Sequence, residues 1–124
     1  MYEKFTEKDQ RMISALIKAC IPKNVAKTLV YLAIKNEATS QEIETSTGLR
    51  QPEVSIAVQE LRKRNWVTKR DWKKEGKGRP VHYYRLAIPF SKIIEQIEES
   101  EKERAKDLLG NVELIKTMAR DYYK

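Results

Sequence analysis

"ATSQEIETSTGLRQPEVSIAVQELRKRNWVTKR", residues 38–70, carries the signals of two short helices joined at a glycine and followed by a strand. Ser40 is a strong N-cap candidate, with Thr39 and Glu42 as an alternative capping box, and "QEIETST" can make about two turns before Gly48. Beyond the glycine, Pro52 suits a first-turn position and Glu53 suits the positive end of a helix dipole. Val54, Ala57, Val58 and Leu61 then recur at helical steps and define a buried face. Asn65 stops this helix, because asparagine tolerates the left-handed backbone that closes helix ends. "WVTKRDW", residues 66–72, is rich in aromatic and β-branched residues and reads as a strand.

The flanking sequence extends this pattern in both directions. Upstream, Thr6 with Asp9 can cap a helix over residues 7–20, with Met12, Ile13, Leu16, Ile17 and Cys20 on one face. Pro22 opens a second helix over residues 23–35, where Val25, Ala26, Leu29, Val30, Ala33 and Ile34 keep helical spacing, and "KNEAT" reads as a polar connection. Downstream, "KKEGKG" is a turn-forming tip and "RPVHYYRLAI" a return strand, with Tyr84, Leu86 and Ile88 on one face and Tyr83 and Arg85 on the other. Pro89 ends the strand, and Ser91 can cap a helix that fills most of the tail. In that tail Leu108, Val112, Ile115, Ala119 and Tyr122 form a seam suited to another helix. The charged stretch before the seam cannot sustain a continuous coiled coil, and Gly110 is placed to bend or divide the helix.

At 124 residues the chain suits one globular domain with an extension. Its net charge of +7 favours polyanionic partners. From Arg50 to Arg85 there are eleven Lys or Arg against four acids, so this segment carries a charge equal to that of the whole chain. From Ser91 onward seven bases meet eight acids. A single cysteine, Cys20, cannot close an intrachain disulfide, which fits a reducing, cytoplasmic setting. Apolar runs are too short for a membrane span, and the acidic N-terminal residues do not suit a signal peptide.

The order of elements over residues 22–89 resembles the winged helix-turn-helix domain of transcriptional regulators, and is most similar to the archaeal and bacterial groups called TrmB-like and ArsR-like. The resemblance implies a mainly α fold with a small two- to three-stranded β-wing and flanking N- and C-terminal helices. Residues 22–89 would then bind DNA; the tail seam within residues 90–124 and the N-terminal helix within residues 1–21 read as a dimerisation surface, with packing of both helices on their own domain as the alternative. The resemblance further implies a recognition helix, about residues 51–64, in the major groove and a wing, residues 73–80, on phosphates or in the minor groove. The partner implied is double-stranded DNA, with a palindromic operator read by a homodimer.

The side chains in these elements have suitable chemistry. Opposite the buried face of the recognition helix lie Gln51, Pro52, Ser55, Ile56, Gln59 and Arg62. Glutamine can bond two atoms of adenine, serine can bond several base edges, and an exposed isoleucine can touch a thymine methyl group. Arg50, Arg62, Lys63 and Arg64 suit the phosphate backbone. On the wing, Lys73, Lys74, Lys77 and Arg79 would reach phosphates, Gly76 and Gly78 would allow close approach, and "KGRP" looks like the core of a minor-groove AT-hook. Each of these side chains has the alternative of being simply solvated. Ile56 has the alternative of a packing contact, and lysines at a hairpin tip also protect an exposed strand edge.

Other functions find less support. Trp66 and Trp72 could stack on bases, but a wing strand packed on its helices would place Trp66 in the core. His82 and Cys20 lack companion ligands, a departure from the metal-responsive ArsR-like regulators that leaves no metal or cofactor implied and the effector unassigned. No nucleophile and base pair and no phosphate loop is recognisable, so an enzyme is not expected. A winged-helix module binding RNA or a protein is the alternative to a DNA-binding regulator.

Overall fold

The computed structural model describes residues 5–72 and 81–123, except the side chain of Trp72. The chain divides into two compact units, Met1–Phe90 and Ser91–Lys124. The first unit begins with α1 (Glu7–Lys18) and α2 (Lys23–Lys35). A Thr6–Asp9 capping box starts α1: the Thr6 N–H donates to Asp9 Oδ2 at 2.9 Å, and the Asp9 N–H donates to Thr6 Oγ1 at 3.1 Å. The helix ends earlier than its apolar spacing suggests. Cys20 takes a φ of 69°, and the Ile21 N–H turns back to the Leu16 carbonyl at 3.0 Å. Ile13, Leu16 and Ile21 are therefore buried, while Met12, Ile17 and Cys20 are exposed. Because α1 packs on α2, a narrow stripe is enough to cover its inner side.

Helix α2 is the centre of this unit and contacts α1, α3 (Ser40–Thr47), α4 (Gln51–Lys63) and the sheet. Ala26, Leu29 and Leu32 are fully buried, together with Thr28, whose hydroxyl donates to the Asn24 carbonyl at 2.9 Å. Burying each leucine is worth about 1.5–3 kcal/mol.

The two candidate caps before α3 are resolved in favour of Thr39. Its N–H donates to Glu42 Oε1 at 2.8 Å, and the Glu42 N–H donates back to Thr39 Oγ1 at 3.1 Å, so Ser40 is the first helical residue. Gly48 follows α3 in the left-handed region, at φ 77°. Val54, Ala57, Val58 and Leu61 form the buried face of α4, as their spacing requires. Asn65 closes that helix at φ 62°, with the Asn65 N–H bonded to Arg62 O and the Trp66 N–H to Leu61 O.

The sheet is antiparallel with spatial order β1 (Glu37–Thr39), β3 (Val81–Leu86), β2 (Val67–Trp72). β1 corrects the reading of "KNEAT" as a connection: after Asn36 at φ 71°, Ala38 is buried opposite Tyr84. Three residues with one apolar side chain are too few to show strand periodicity. The alternation in β3 holds, with Tyr84 buried and Tyr83 and Arg85 on the other face, paired with Arg70 and Thr68.

The second unit is formed by α5 (Phe90–Ala119), which begins in the last residue of the first unit, followed by a 3-10 turn over Arg120–Tyr122. Ser91 lies inside the helix rather than capping it, and Gly110 does not divide it. One glycine costs about 1 kcal/mol relative to alanine. Ion pairs at helical spacing offset such a cost: Lys102 lies 3.4 Å from Glu98, Arg104 2.8 Å from Glu101 and Lys116 3.6 Å from Glu113. Tyr122 lies in the 3-10 turn, so the α-helical part of the seam ends at Ala119. Among the described residues no helix is long and apolar enough to cross a membrane.

A Cβ built on Gly48 would meet nothing within 4 Å, so substitution there is opposed by backbone conformation rather than by space. Gly48→Ala should lower stability by about 1–2 kcal/mol, and Thr39→Ala by about 1 kcal/mol. Urea unfolding of both variants measures these losses.

Candidate nucleic-acid interface

The turn between α3 and α4 fixes how the candidate recognition helix is presented. Thr47 is buried; its hydroxyl donates to Ile43 O at 2.6 Å and accepts the Leu49 N–H at 3.2 Å. The Gly48 N–H reaches Glu44 O at 2.9 Å, and Leu49 is buried just beyond. Glu53 accepts the Arg50 N–H at 2.8 Å and so satisfies a donor at the start of α4. These local bonds anchor the first turn of α4 and leave its outer face in solvent.

Gln51, Pro52, Ser55, Ile56, Gln59, Arg62 and Lys63 are all exposed, Ile56 at 67%. Not all of them line the same groove. Gln51, Ser55, Gln59 and Arg62 line a groove of about 230 Å³ whose opposite wall includes Lys69 of β2 and His82 of β3. Pro52 and Ile56 do not line it. Lys63 joins Gln59, Arg62 and Lys69 in an adjoining depression. The Arg50 side chain is 87% exposed, with Nε 3.8 Å from Glu53.

One sequence reading changes with these positions and one is settled. Arg64 is half-buried, 3.4 Å from Glu60 and stacked over Trp66 at 5.1 Å, so it is less available to phosphate than Arg62 or Lys63. Trp66 is a core residue, 4% exposed, and its ring is not open to a base. The readings placed on Lys73, Lys74, Gly76, Lys77, Gly78 and Arg79 lie outside the described residues, as does the side chain of Trp72.

Lys69, Asp71 and His82 form a polar cluster that helix periodicity and turn signals do not reveal. Asp71 and His82 are opposite each other in the β2–β3 ladder, with His82 Nδ1 2.6 Å from Asp71 Oδ1 and Lys69 Nζ 3.8 Å from the same oxygen. The hydrogen bond from His82 holds the Asp71 carboxyl below its usual 3.8, helped by the charges of Lys69, His82 and Arg62. Strand alternation carried the signal: Lys69 and Asp71 share a face with Val67, and His82 shares one with Tyr84. On the opposite face Arg70 reaches across β3 to Glu37 at 3.2 Å and lies over the Tyr83 ring at 4.9 Å. Among the described residues no three His, Cys, Asp or Glu side chains gather as a metal-ligand set.

These elements make a winged helix-turn-helix fold. No protein-family model and no curated protein matches the sequence. Similar solved structures include TrmBL2, an archaeal chromatin protein whose structure shows a novel mode of DNA binding, with a TM-score of 0.64 and 19% identity over 90% of this chain. The match spans 42% of the TrmBL2 chain. A possible transcriptional regulator from Methanosarcina mazei is similar at a TM-score of 0.60 and 17% identity, over 80% of this chain and 87% of that one. MepR, a transcription regulator of the Staphylococcus aureus multidrug efflux pump MepA, is similar at 0.51 and 18%, over 94% and 85% of the two chains.

The lowered Asp71 pKa has a defined sign in stability. The unfolded chain takes up this proton first, so the contribution is complete above about pH 3.8 and is lost as pH falls through the lower folded value. Asp71→Asn should make the acid loss of stability shallower, as measured by thermal melts between about pH 5 and about pH 2.

Proposed function

We propose that the protein is a transcriptional regulator that binds double-stranded DNA, with α4 in the major groove and the segment 73–80 against phosphates or in the minor groove. The observation that carries this reading is the exposed stripe of Gln51, Ser55, Gln59 and Arg62 facing Lys69 across one groove. It lies in the Arg50–Arg85 segment, whose charge equals that of the whole chain. Gln51, Ser55 and Gln59 are the base readers in this reading, and Pro52 and Ile56 make apolar contacts. Arg50, Arg62, Lys63, Lys73, Lys74, Lys77 and Arg79 hold phosphates. The solved relatives named as a chromatin protein and as regulators support a DNA partner.

The reading includes a homodimer on a palindromic operator, with residues 22–89 binding DNA and residues 1–21 and 90–124 supporting assembly. Its support is the row of exposed apolar side chains along α5: Leu108 at 56%, Val112 at 45%, Ile115 at 55% and Met118 at 56%. Exposed apolar area on this scale is suited to burial by a second copy.

Affinity for duplex DNA should fall steeply with salt, each neutralised phosphate adding about 0.9 to the slope of log affinity on log salt. Gln59→Ala should weaken binding to the preferred site by about 1–3 kcal/mol while sparing non-specific binding, whereas Lys63→Ala should weaken both alike. Fluorescence anisotropy against specific and scrambled duplexes is the measurement, and a flat salt response would refute duplex binding. Competition with RNA tests the alternative of an RNA-binding module.

Val112→Glu with Ile115→Glu should convert a dimer to a monomer in light scattering. It should also lower affinity for a two-half-site duplex by about a hundredfold or more, because the second contact is no longer intramolecular.

A further inference from the structure

We propose that His82 is a further nucleic-acid contact on this surface, one that takes up a proton as a phosphate docks beside it. The inference rests on the DNA-binding reading above and adds to it a residue and a linked proton.

His82 lines the same groove as Gln51, Ser55, Gln59, Arg62 and Lys69. Its Nδ1 is 2.6 Å from Asp71 Oδ1. A carboxylate near neutral pH only accepts hydrogen bonds, so the proton between Asp71 and His82 belongs to Nδ1. That fixes the neutral imidazole in one tautomer, with Nε2 bare. A bare Nε2 is an acceptor and has nothing to offer a phosphate oxygen, which is also only an acceptor. One proton taken from solvent onto Nε2 turns it into a charged donor, and the same proton returns to solvent on release.

The charges facing the ring among the described residues are Asp71 and Lys69 from β2 and Arg62 from α4, and Tyr84 of β3 lines the same groove. Asp71, Lys69 and Arg62 together sum to +1, and protonation of His82 raises this to +2. A phosphate therefore favours the protonated ring by charge as well as by hydrogen bonding. Asp71 acts through His82 as a positioning residue: it orients the ring and stabilises the imidazolium, although its own charge repels phosphate. By reciprocity, a ligand that binds the protonated form more tightly raises the affinity of that form for its proton.

The chain has one histidine, so its imidazole signals in NMR need no assignment. The test titrates the full chain with pH, free and bound to a mixed-sequence duplex, and measures duplex affinity at constant ionic strength between about pH 6 and about pH 8. The His82 pKa should rise on binding, and wild-type affinity should fall with rising pH by up to about tenfold per unit for each linked proton. His82→Gln should abolish this pH dependence, and Asp71→Asn should move it to lower pH. Duplex binding that leaves the His82 pKa unmoved would overturn this inference alone. Absence of duplex binding at every pH would overturn the DNA-binding reading and this inference with it, and an unchanged pH window in Asp71→Asn would overturn the role given to Asp71.

Discussion

The turn Thr47–Gly48–Leu49 is the constraint on which the rest of the first unit depends. A left-handed glycine changes the chain direction, a buried threonine hydroxyl is bonded on both sides, and a buried leucine anchors the exit. Only with that direction fixed can Val54, Ala57, Val58 and Leu61 reach the core that α2 and α3 supply. The outward stripe of Gln51, Ser55, Gln59 and Arg62 is the other side of the same placement. A mobile turn would spread those side chains over many orientations, and binding would carry the entropic cost of ordering them.

The sheet sets the other wall of the groove. Tyr84 is central to it, paired with Ala38 on one side and Lys69 on the other. Because its neighbours alternate strictly, the face beneath Tyr84 also carries His82 and Asp71 toward α4, while Arg70, Tyr83 and Glu37 link all three strands on the far face. The short β1 therefore does more than fill an edge. It ties the hairpin base to the chain leaving α2, through a salt bridge formed across the middle strand.

Much of this was legible in the sequence because the signals were local and redundant. Thr6 with Asp9, Gly48, Pro52 and Asn65 each marked a helix end by backbone chemistry, and the four apolar residues of α4 identified its buried face. The failures came where local signals competed or tertiary context decided. Thr39 and Ser40 were both competent caps, and the glutamate three residues beyond Thr39 favoured Thr39. Met12 and Ile17 kept the spacing of buried residues on a helix whose covered stripe is narrow, so they stayed exposed. Gly110 was a reasonable place for a break, yet ion pairs at helical spacing support the helix on both sides of it. At the candidate interface, helix periodicity recovered the exposed residues but not their division between a groove and an outer edge. That division depends on where β2 and β3 lie, and so does the part played by His82, which counts only beside Asp71.

Cys20, with its left-handed backbone and exposed side chain at the end of α1, gives the molecule a single chemical address. Maleimide or disulfide reagents would modify one position per chain, outside the core and not among the residues that line the α4 groove. Two spin labels in an assembly of two copies would then yield one distance between equivalent points. The geometry of assembly could be measured without introducing or deleting a residue.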